Sequence, residues 1–237
     1  TGGMGNVAFG EGASVTGGLS NSVSGDDGYV VGGTGNVVDA PVAVVGGGQE
    51  AFVQGQYAVV LGGLRAETLG PWSFQAGGSD AFVYDVDHGA LIGGYRGVVG
   101  ADHALVAGGR EGTADGDLSV VLGGYTSEAS GSHAVVSGGR LNDASGSHSV
   151  VSGGLYGEAA GSWTAVTGGM YGSSVTQDAS VLGGRENVSV GIAAVVSGGQ
   201  QNEADGRYAQ ILGGRYNDTL GWWSVVTGGQ GNPAFNS

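Results

Sequence analysis

The 237-residue sequence contains no cysteine and no lysine, and it has only 3 prolines. Without cysteine, the chain has no disulfide framework, no thiol chemistry and no zinc site built from thiolates. Its 7 basic residues, all arginine, face 21 acidic residues, so the formal net charge is −14. A chain this acidic, with no basic patch, is not expected to bind nucleic acid or an anionic membrane.

Long apolar runs are absent as well. No stretch of 18 apolar residues and no signal peptide is present, so we expect no membrane insertion. Charged residues make up only 12% of the chain, which is too few to solvate a compact globule and favours an elongated or oligomeric body.

Glycine is abundant, with 55 residues, yet the usual glycine-rich classes do not fit. Collagen is excluded because glycine does not recur at every third position. A flexible linker is excluded because 40% of the chain is hydrophobic and those residues stand at regular intervals. The remaining class is a glycine-rich repeat architecture.

A Gly-Gly dyad marks the repeat. Its second glycine recurs every 15 residues, except for one step of 16 residues from Gly78 to Gly94. Three residues before that glycine stands an apolar column that Gln75 alone interrupts. We predict that this column forms the structural core, with the members Val15, Val45, Val60, Val106, Val121, Val136, Val151, Val166, Val181, Val196, Ile211 and Val226.

A 15-residue unit is too short for two helices, and its β-branched, alternating pattern indicates strands joined by tight turns. We therefore predict an all-β fold, a β-solenoid with one coil per repeat. Residues 1–237 would form a single solenoid of about fifteen coils, with the one-residue slip in residues 79–94. Asparagine often occupies the third position after the dyad, where we expect a turn with positive φ.

A second apolar column predicts self-association. It lies one residue before the core column and contains, among others, Val44, Val59, Phe74, Val135 and Val195. A strand that is apolar on both sides is expected to be buried on both sides, and a coil this small covers only one of them. We therefore expect a homo-oligomer that assembles around the long axis of a rod.

The repeats resemble those of a known group of surface proteins. Residues 131–139, Gly-Ser-His-Ala-Val-Val-Ser-Gly-Gly, continue as Arg-Leu-Asn-Asp-Ala-Ser-Gly over residues 140–146. This pattern, which covers essentially the whole chain, is similar to the short repeats of trimeric autotransporter adhesin heads and of phage tail-fibre-like proteins. The resemblance implies a left-handed parallel β-roll, a homotrimer, and a place in an adhesive fibre that is extracellular, on a cell surface or on a virion surface.

One column carries rings and is a candidate ligand site. Six residues before the second glycine stand Tyr57, Trp72, His88, His103, His133, His148, Trp163, Tyr208 and Trp223. A stripe of this kind could stack sugars or bind a metal, since neighbouring coils lie about one strand spacing apart. The alternative interpretation is a structural ladder that stabilises stacked strands.

A candidate metal site lies in the coil with the slip. Asp80, Asp85 and Asp87 approach the pattern of a calcium loop, although the later ligands of an EF-hand are missing. The alternative interpretation is a bulge that the repeat tolerates.

No group of residues predicts catalysis, and no cofactor is expected. The leading hypothesis is a non-enzymatic fibre protein that provides reach, rigidity and attachment to a host glycan or receptor. A second hypothesis is a filament or matrix protein that stacks end to end, since residues 228–235 closely repeat residues 2–9. A third is a solenoid that binds glycan or ice.

Overall fold

The computed structural model describes residues 2–235, which form strands, bridges and turns and contain no helix. Within residues 2–235 there is therefore no helix that is long and apolar enough to cross a bilayer. The chain divides into two compact units, the first ending at Leu118 and the second beginning at Ser119. We call them unit 1 and unit 2.

Unit 1 contains fifteen short strands. They are β1 (Val7–Ala8), β2 (Ser14–Val15), β3 (Ser22–Val23), β4 (Tyr29–Val30), β5 (Val37–Val38), β6 (Val44–Val45), β7 (Phe52–Val53), β8 (Val59–Val60), β9 (Glu67–Thr68), β10 (Phe74–Ala76), β11 (Phe82–Val83), β12 (Ala90–Ile92), β13 (Val98–Val99), β14 (Leu105–Ala107) and β15 (Thr113–Ala114).

Unit 2 continues the same pattern. Its strands are β16 (Val120–Val121), β17 (Glu128–Ala129), β18 (Val135–Val136), β19 (Asp143–Ala144), β20 (Val150–Val151), β21 (Glu158–Ala159), β22 (Ala165–Val166), β23 (Ser173–Ser174), β24 (Ser180–Val181), β25 (Val188–Ser189), β26 (Val195–Val196), β27 (Glu203–Ala204), β28 (Gln210–Ile211), β29 (Asp218–Thr219), β30 (Val225–Val226) and β31 (Pro233–Ala234).

In each unit the odd-numbered strands form one parallel sheet and the even-numbered strands form another. Outside the slip, residues that pair between neighbouring coils stand 15 positions apart, as Val135 does from Val150. A third row of single-residue parallel bridges, such as Leu19 to Thr34, follows the dyad. The predicted all-β parallel solenoid, with about fifteen coils and one coil per repeat, is confirmed.

The one-residue slip lies in the turn between β11 and β12. Phe82 pairs with a residue 15 positions earlier and with one 16 positions later, which places the extra residue after β11. The turn absorbs it through a tight contact in which Val86 N–H donates to Tyr84 O at 2.8 Å. Val86 turns inward and is buried, so the insertion adds an apolar side chain to the interior.

The interior of both units is filled by the second residue of each strand, except in the terminal strands β1 and β31. The even-numbered strands contribute the side chains that the sequence predicts as core, and the structure buries all twelve of them, none more than 7% exposed. The odd-numbered strands contribute mostly valine in unit 1, such as Val53, and smaller or polar side chains in unit 2, such as Ala144. Across the narrow coil, valines therefore face valines in much of unit 1, and larger residues face small ones in unit 2.

Asparagine has a different role from the predicted one. The expectation that it occupies a positive-φ turn position is wrong, since no asparagine adopts positive φ in the described residues. The side chains point inward and link coils instead. Asn202 Nδ2 donates to Gly198 O at 2.9 Å and to Gly214 O at 3.1 Å, while its Oδ1 accepts from Asn217 N–H at 3.0 Å. Except for Asn232, the asparagines of this column therefore satisfy backbone groups of their own coil and of the next.

Among residues other than glycine, the left-handed conformation falls on two other positions of the coil. One is the residue just before the asparagine position, for example Tyr171 at φ 54°, and the other is the ring column, for example His148 at φ 58°. Residues other than glycine rarely adopt this backbone conformation, because it costs about 1 kcal/mol or more for each residue. Backbone hydrogen bonds to neighbouring coils hold these turns, as His148 N–H does with Ser132 O at 2.8 Å.

Candidate functional site

The ring column lies in the turn before each even-numbered strand. Its residues have φ values from 51° at Trp72 to 61° at Trp163. Because every coil holds this position in the same conformation, the side chains leave the backbone in the same direction. The left-handed turn thus converts a repeat in the sequence into a file of rings.

In unit 1 four rings of this column stack in sequence. The ring centroids are 5.5 Å apart for Tyr57 and Trp72, 5.5 Å for Trp72 and His88, and 5.0 Å for His88 and His103. Their planes lie within 15° of one another. The structure therefore brings these candidate residues together, and most of their ring faces cover each other.

Unit 2 contains two shorter stacks. The ring centroids are 4.5 Å apart for His133 and His148, and 4.0 Å apart for His148 and Trp163. In the second stack, the ring centroids of Tyr208 and Trp223 are 4.2 Å apart. These contacts support the interpretation of the column as a structural ladder, since aromatic neighbours on adjacent strands stabilise the pairing. The outer parts of the tryptophans nevertheless stay open to solvent, with Trp163 59% and Trp223 69% exposed.

Serine side chains fix two of the histidine rings. Ser132 Oγ lies 2.9 Å from His133 Nδ1, and Ser147 Oγ lies 2.9 Å from His148 Nδ1. These hydrogen bonds hold the ring planes parallel, so the stack that ends at Trp163 is a rigid surface.

The structure does not bring the three aspartates of the slip coil together in one cluster. Asp80 forms an ion pair with Arg65, with 2.6 Å between Oδ1 and Nε. Asp85 and Asp87 lie in the turn beyond β11, and both are exposed. Within residues 2–235, no three acidic, histidine or cysteine side chains are close enough to hold a metal ion.

The outward side of the even-numbered sheet carries no charge. This side consists of the first residue of each even-numbered strand and the residue two positions later, and we call it the uncharged face. In unit 1 it consists of Ser14, Thr16, Tyr29, Val31, Val44, Gly46, Val59, Leu61, Phe74, Ala76, Ala90, Ile92, Leu105 and Ala107. In unit 2 it consists of Val120, Leu122, Val135, Ser137, Val150, Ser152, Ala165, Thr167, Ser180, Leu182, Val195, Ser197, Gln210, Leu212, Val225 and Thr227.

The uncharged face combines apolar side chains with serine and threonine, and much of it is open to solvent. Leu61 is 58% exposed, Leu182 50% and Val225 53%. It contains the second apolar column, and the structure leaves those valines half-buried or exposed. All 28 charged side chains of the chain lie at other positions.

The outward side of the odd-numbered sheet in unit 2 carries rows of carboxylates. Glu128 pairs in register with Asp143, Asp143 with Glu158, and Glu203 with Asp218. Like charges on adjacent strands repel one another. The sequence signal for these rows is the spacing of 15 between acidic residues, which belongs to neither the ring column nor the aspartates of the slip coil.

The pKa values of these carboxyl groups reflect their crowding. Burial, and then the Glu158 carboxylate, raises the pKa of Asp143 above its ordinary value. Burial also raises the pKa of Glu203 and of Asp218, and the neighbouring Asp205 raises both further. Burial, and then the neighbouring carboxylates, therefore disfavour the charged forms of Asp143, Glu203 and Asp218.

Comparison with known proteins adds no assignment. Neither the protein-family models nor the curated proteins contain a match to this chain. The function has to be inferred from the faces of the solenoid.

Proposed function

We propose that this chain is a non-enzymatic structural protein of an extracellular or virion-surface fibre, and that it self-associates through its uncharged face. Two or more copies would pack their even-numbered sheets together, and the resemblance to adhesin heads favours three copies and a left-handed coil. The observation that carries this proposal is the absence of charge from every outward position of that sheet.

Charge explains why the partner would be another copy. Two chains of net charge −14 repel each other through most of their surface. Contact through the uncharged face keeps those charges apart and removes side chains such as Leu61 and Leu182 from water. Burial of apolar surface stabilises by about 25 cal/mol per Å². A second copy also presents the same spacing between rows, so the side chains of the two faces interdigitate.

Analytical ultracentrifugation tests the proposal. The expected result is an oligomer, with a trimer at three times the chain mass of 23.1 kDa. Val195→Glu, on the uncharged face, should dissociate it. The matched control is Val188→Glu, a half-buried valine on the outward side of the other sheet in the same coil, which should not. A monomer at all concentrations would contradict self-association.

Attachment to a surface glycan is a second candidate function, favoured by the exposed tryptophans of the ring column. One side of Trp163 stacks on His148, and the next coil has Asp178 at this position, so no ring covers its other side. Ligand sites commonly combine aromatic side chains with a few polar groups, which Trp163 and Asp178 would supply here.

A glycan array tests this second function. Trp163→Ala and Trp223→Ala should each reduce binding at least about fivefold, in line with the loss of an aromatic contact. Trp222→Ala is the control, because Trp222 is 62% exposed but lies outside the ring column. If all three variants bind equally well, the column is structural alone.

A further inference from the structure

A cleft in unit 2 lies on the outward side of the odd-numbered sheet, away from both the ring column and the uncharged face. It has a volume of about 400 Å³. Its side chains are Leu141, Asp143, Tyr156, Glu158, Tyr171 and Ser173.

Two stacked tyrosines form one wall of the cleft. The rings of Tyr156 and Tyr171 lie 4.9 Å apart with planes within 8°, and both residues have left-handed backbones with φ 55° and 54°. Their side chains are 44% and 46% exposed. The wall is therefore rigid, aromatic and accessible.

Two carboxylates on adjacent strands form the floor. Glu158 Oε2 accepts a hydrogen bond from Ser173 Oγ at 3.1 Å. Asp143 Oδ1 is buried and has no hydrogen-bond partner within residues 2–235, although the Ser145 side chain hydrogen-bonds to the Asp143 carboxylate. None of the ion pairs in that range includes Asp143 or Glu158.

Unit 1 has a cleft in the corresponding columns, and there the chain supplies its own cation. That cleft is lined by Phe82, Tyr84, Arg96, Val98, Glu111 and Thr113. Arg96 Nη1 donates to Glu111 Oε1 at 3.2 Å. Arg96 and Glu111 stand in the column that holds Tyr156 and Tyr171 in unit 2, so unit 1 places a guanidinium–carboxylate pair where unit 2 has the tyrosine wall.

Guanidinium groups also lie over tyrosine rings elsewhere in this chain. Arg215 Cζ lies 4.7 Å from the centroid of the Tyr216 ring, and Arg140 Cζ lies 5.2 Å from that of Tyr125. The cleft of unit 2 combines both kinds of partner, a tyrosine wall and carboxylates, and has no arginine among its lining residues.

We propose that this cleft binds the arginine side chain of a partner protein. A guanidinium group is planar, so it stacks against a tyrosine while it donates two parallel hydrogen bonds to a carboxylate. Lysine carries a compact charge without this geometry and should bind more weakly. The site does not depend on self-association, because it lies on the other sheet.

The test uses Nα-acetyl-arginine methylamide as the probe, with the citrulline analogue as its neutral isostere and the lysine analogue as a second cation. Tyrosine ring resonances of the isotope-labelled full chain are followed by NMR and assigned with Tyr156→Phe and Tyr171→Phe. The arginine probe should shift both rings, the lysine probe should bind at least about threefold more weakly, and the citrulline probe should shift neither.

Paired variants separate a site from general attraction to an acidic protein. Asp143→Asn with Glu158→Gln should weaken binding of the arginine probe about tenfold or more. Glu203→Gln with Asp218→Asn removes the same charge from another in-register pair of that sheet and should change the affinity less than about twofold. Equal weakening by both pairs, or an arginine probe that leaves the two tyrosines unshifted, would overturn the proposal.

Discussion

Thr68 Oγ1 donates a hydrogen bond of 2.8 Å to Gln75 Oε1 inside unit 1, and both side chains are fully buried. Gln75 Nε2 donates in turn to Ala81 O at 3.2 Å. Thr68 and Gln75 are polar interruptions of two apolar columns, and each provides the partner that the other needs. Burial of an amide costs little folding free energy when its hydrogen bonds are made. The interior therefore tolerates Thr68 and Gln75 together, although either one alone would leave a buried polar group unpaired.

This relationship predicts strong coupling between Thr68 and Gln75. Gln75→Leu should lower the free energy of unfolding by about 1–3 kcal/mol, because the Thr68 hydroxyl loses its acceptor. Thr68→Val should cost a similar amount by leaving Gln75 Oε1 unpaired. The double variant should be close to the wild type in urea unfolding. If the two losses simply add, the hydrogen bond does not explain the interruption of the columns.

The two glycines of a dyad should respond differently to substitution. Gly199 has φ 90°, and a Cβ there would lie 2.9 Å from Gly214 N and 2.6 Å from Asn202 Nδ2. Gly199→Ala should therefore lower stability by about 2 kcal/mol or more. A Cβ on Gly198 meets no atom within 4 Å, so Gly198→Ala is the matched control and should be neutral or slightly stabilising. Equal thermal shifts of the two variants would contradict this difference.

The asparagines that link neighbouring coils should contribute more to the free energy of unfolding where they are buried than where they are exposed. Asn202→Ala removes an amide with hydrogen bonds to Gly198, Gly214 and Asn217, and it should cost about 2–4 kcal/mol in urea unfolding. Asn232→Ala is the control, because Asn232 is exposed and its amide donates to Gly228. We expect a loss below about 1 kcal/mol there. A similar loss at both positions would contradict the proposed role of the buried amide.

The carboxylate rows of unit 2 predict an unusual dependence of stability on pH. The pKa values of Asp143, Glu203 and Asp218 are raised in the folded chain, so the native state binds protons that the unfolded state releases. The penalty is fully present above the raised pKa values, and it is relieved as the pH falls toward the ordinary values of 3.8 for aspartate and 4.5 for glutamate.

The triple variant Asp143→Asn, Glu203→Gln, Asp218→Asn tests this dependence. It should be more stable than the wild type at about pH 7, and its advantage in urea unfolding should shrink toward about pH 4. A control with the same charge change, Glu11→Gln, Asp85→Asn, Asp117→Asn, alters exposed residues only and should show a smaller advantage. An advantage of the triple variant that does not change with pH would contradict the assignment.

Particular columns show how far the sequence reaches. The valines of the core column, from Val121 to Val196, could be assigned to the interior from the sequence. An apolar residue that recurs every 15 positions fits a strand that stacks on its copy in the next coil. The stacking of His133 on His148 also followed from spacing alone. The carboxylate pair Glu203 and Asp218 has the same spacing, but its crowding depends on how the sheet buries each oxygen.

The repeat period by itself determined the class of fold and the register of this protein, because residues 15 positions apart must meet when identical coils stack in parallel. Only the tertiary structure decided which polar atoms pair between coils and which backbone positions are left-handed. Asn202 and Gly198 are close in sequence, yet the amide points inward because the turn before it, and not the asparagine, takes positive φ. Such choices depend on hydrogen bonds to the adjacent coil, and a local sequence pattern does not contain that coil.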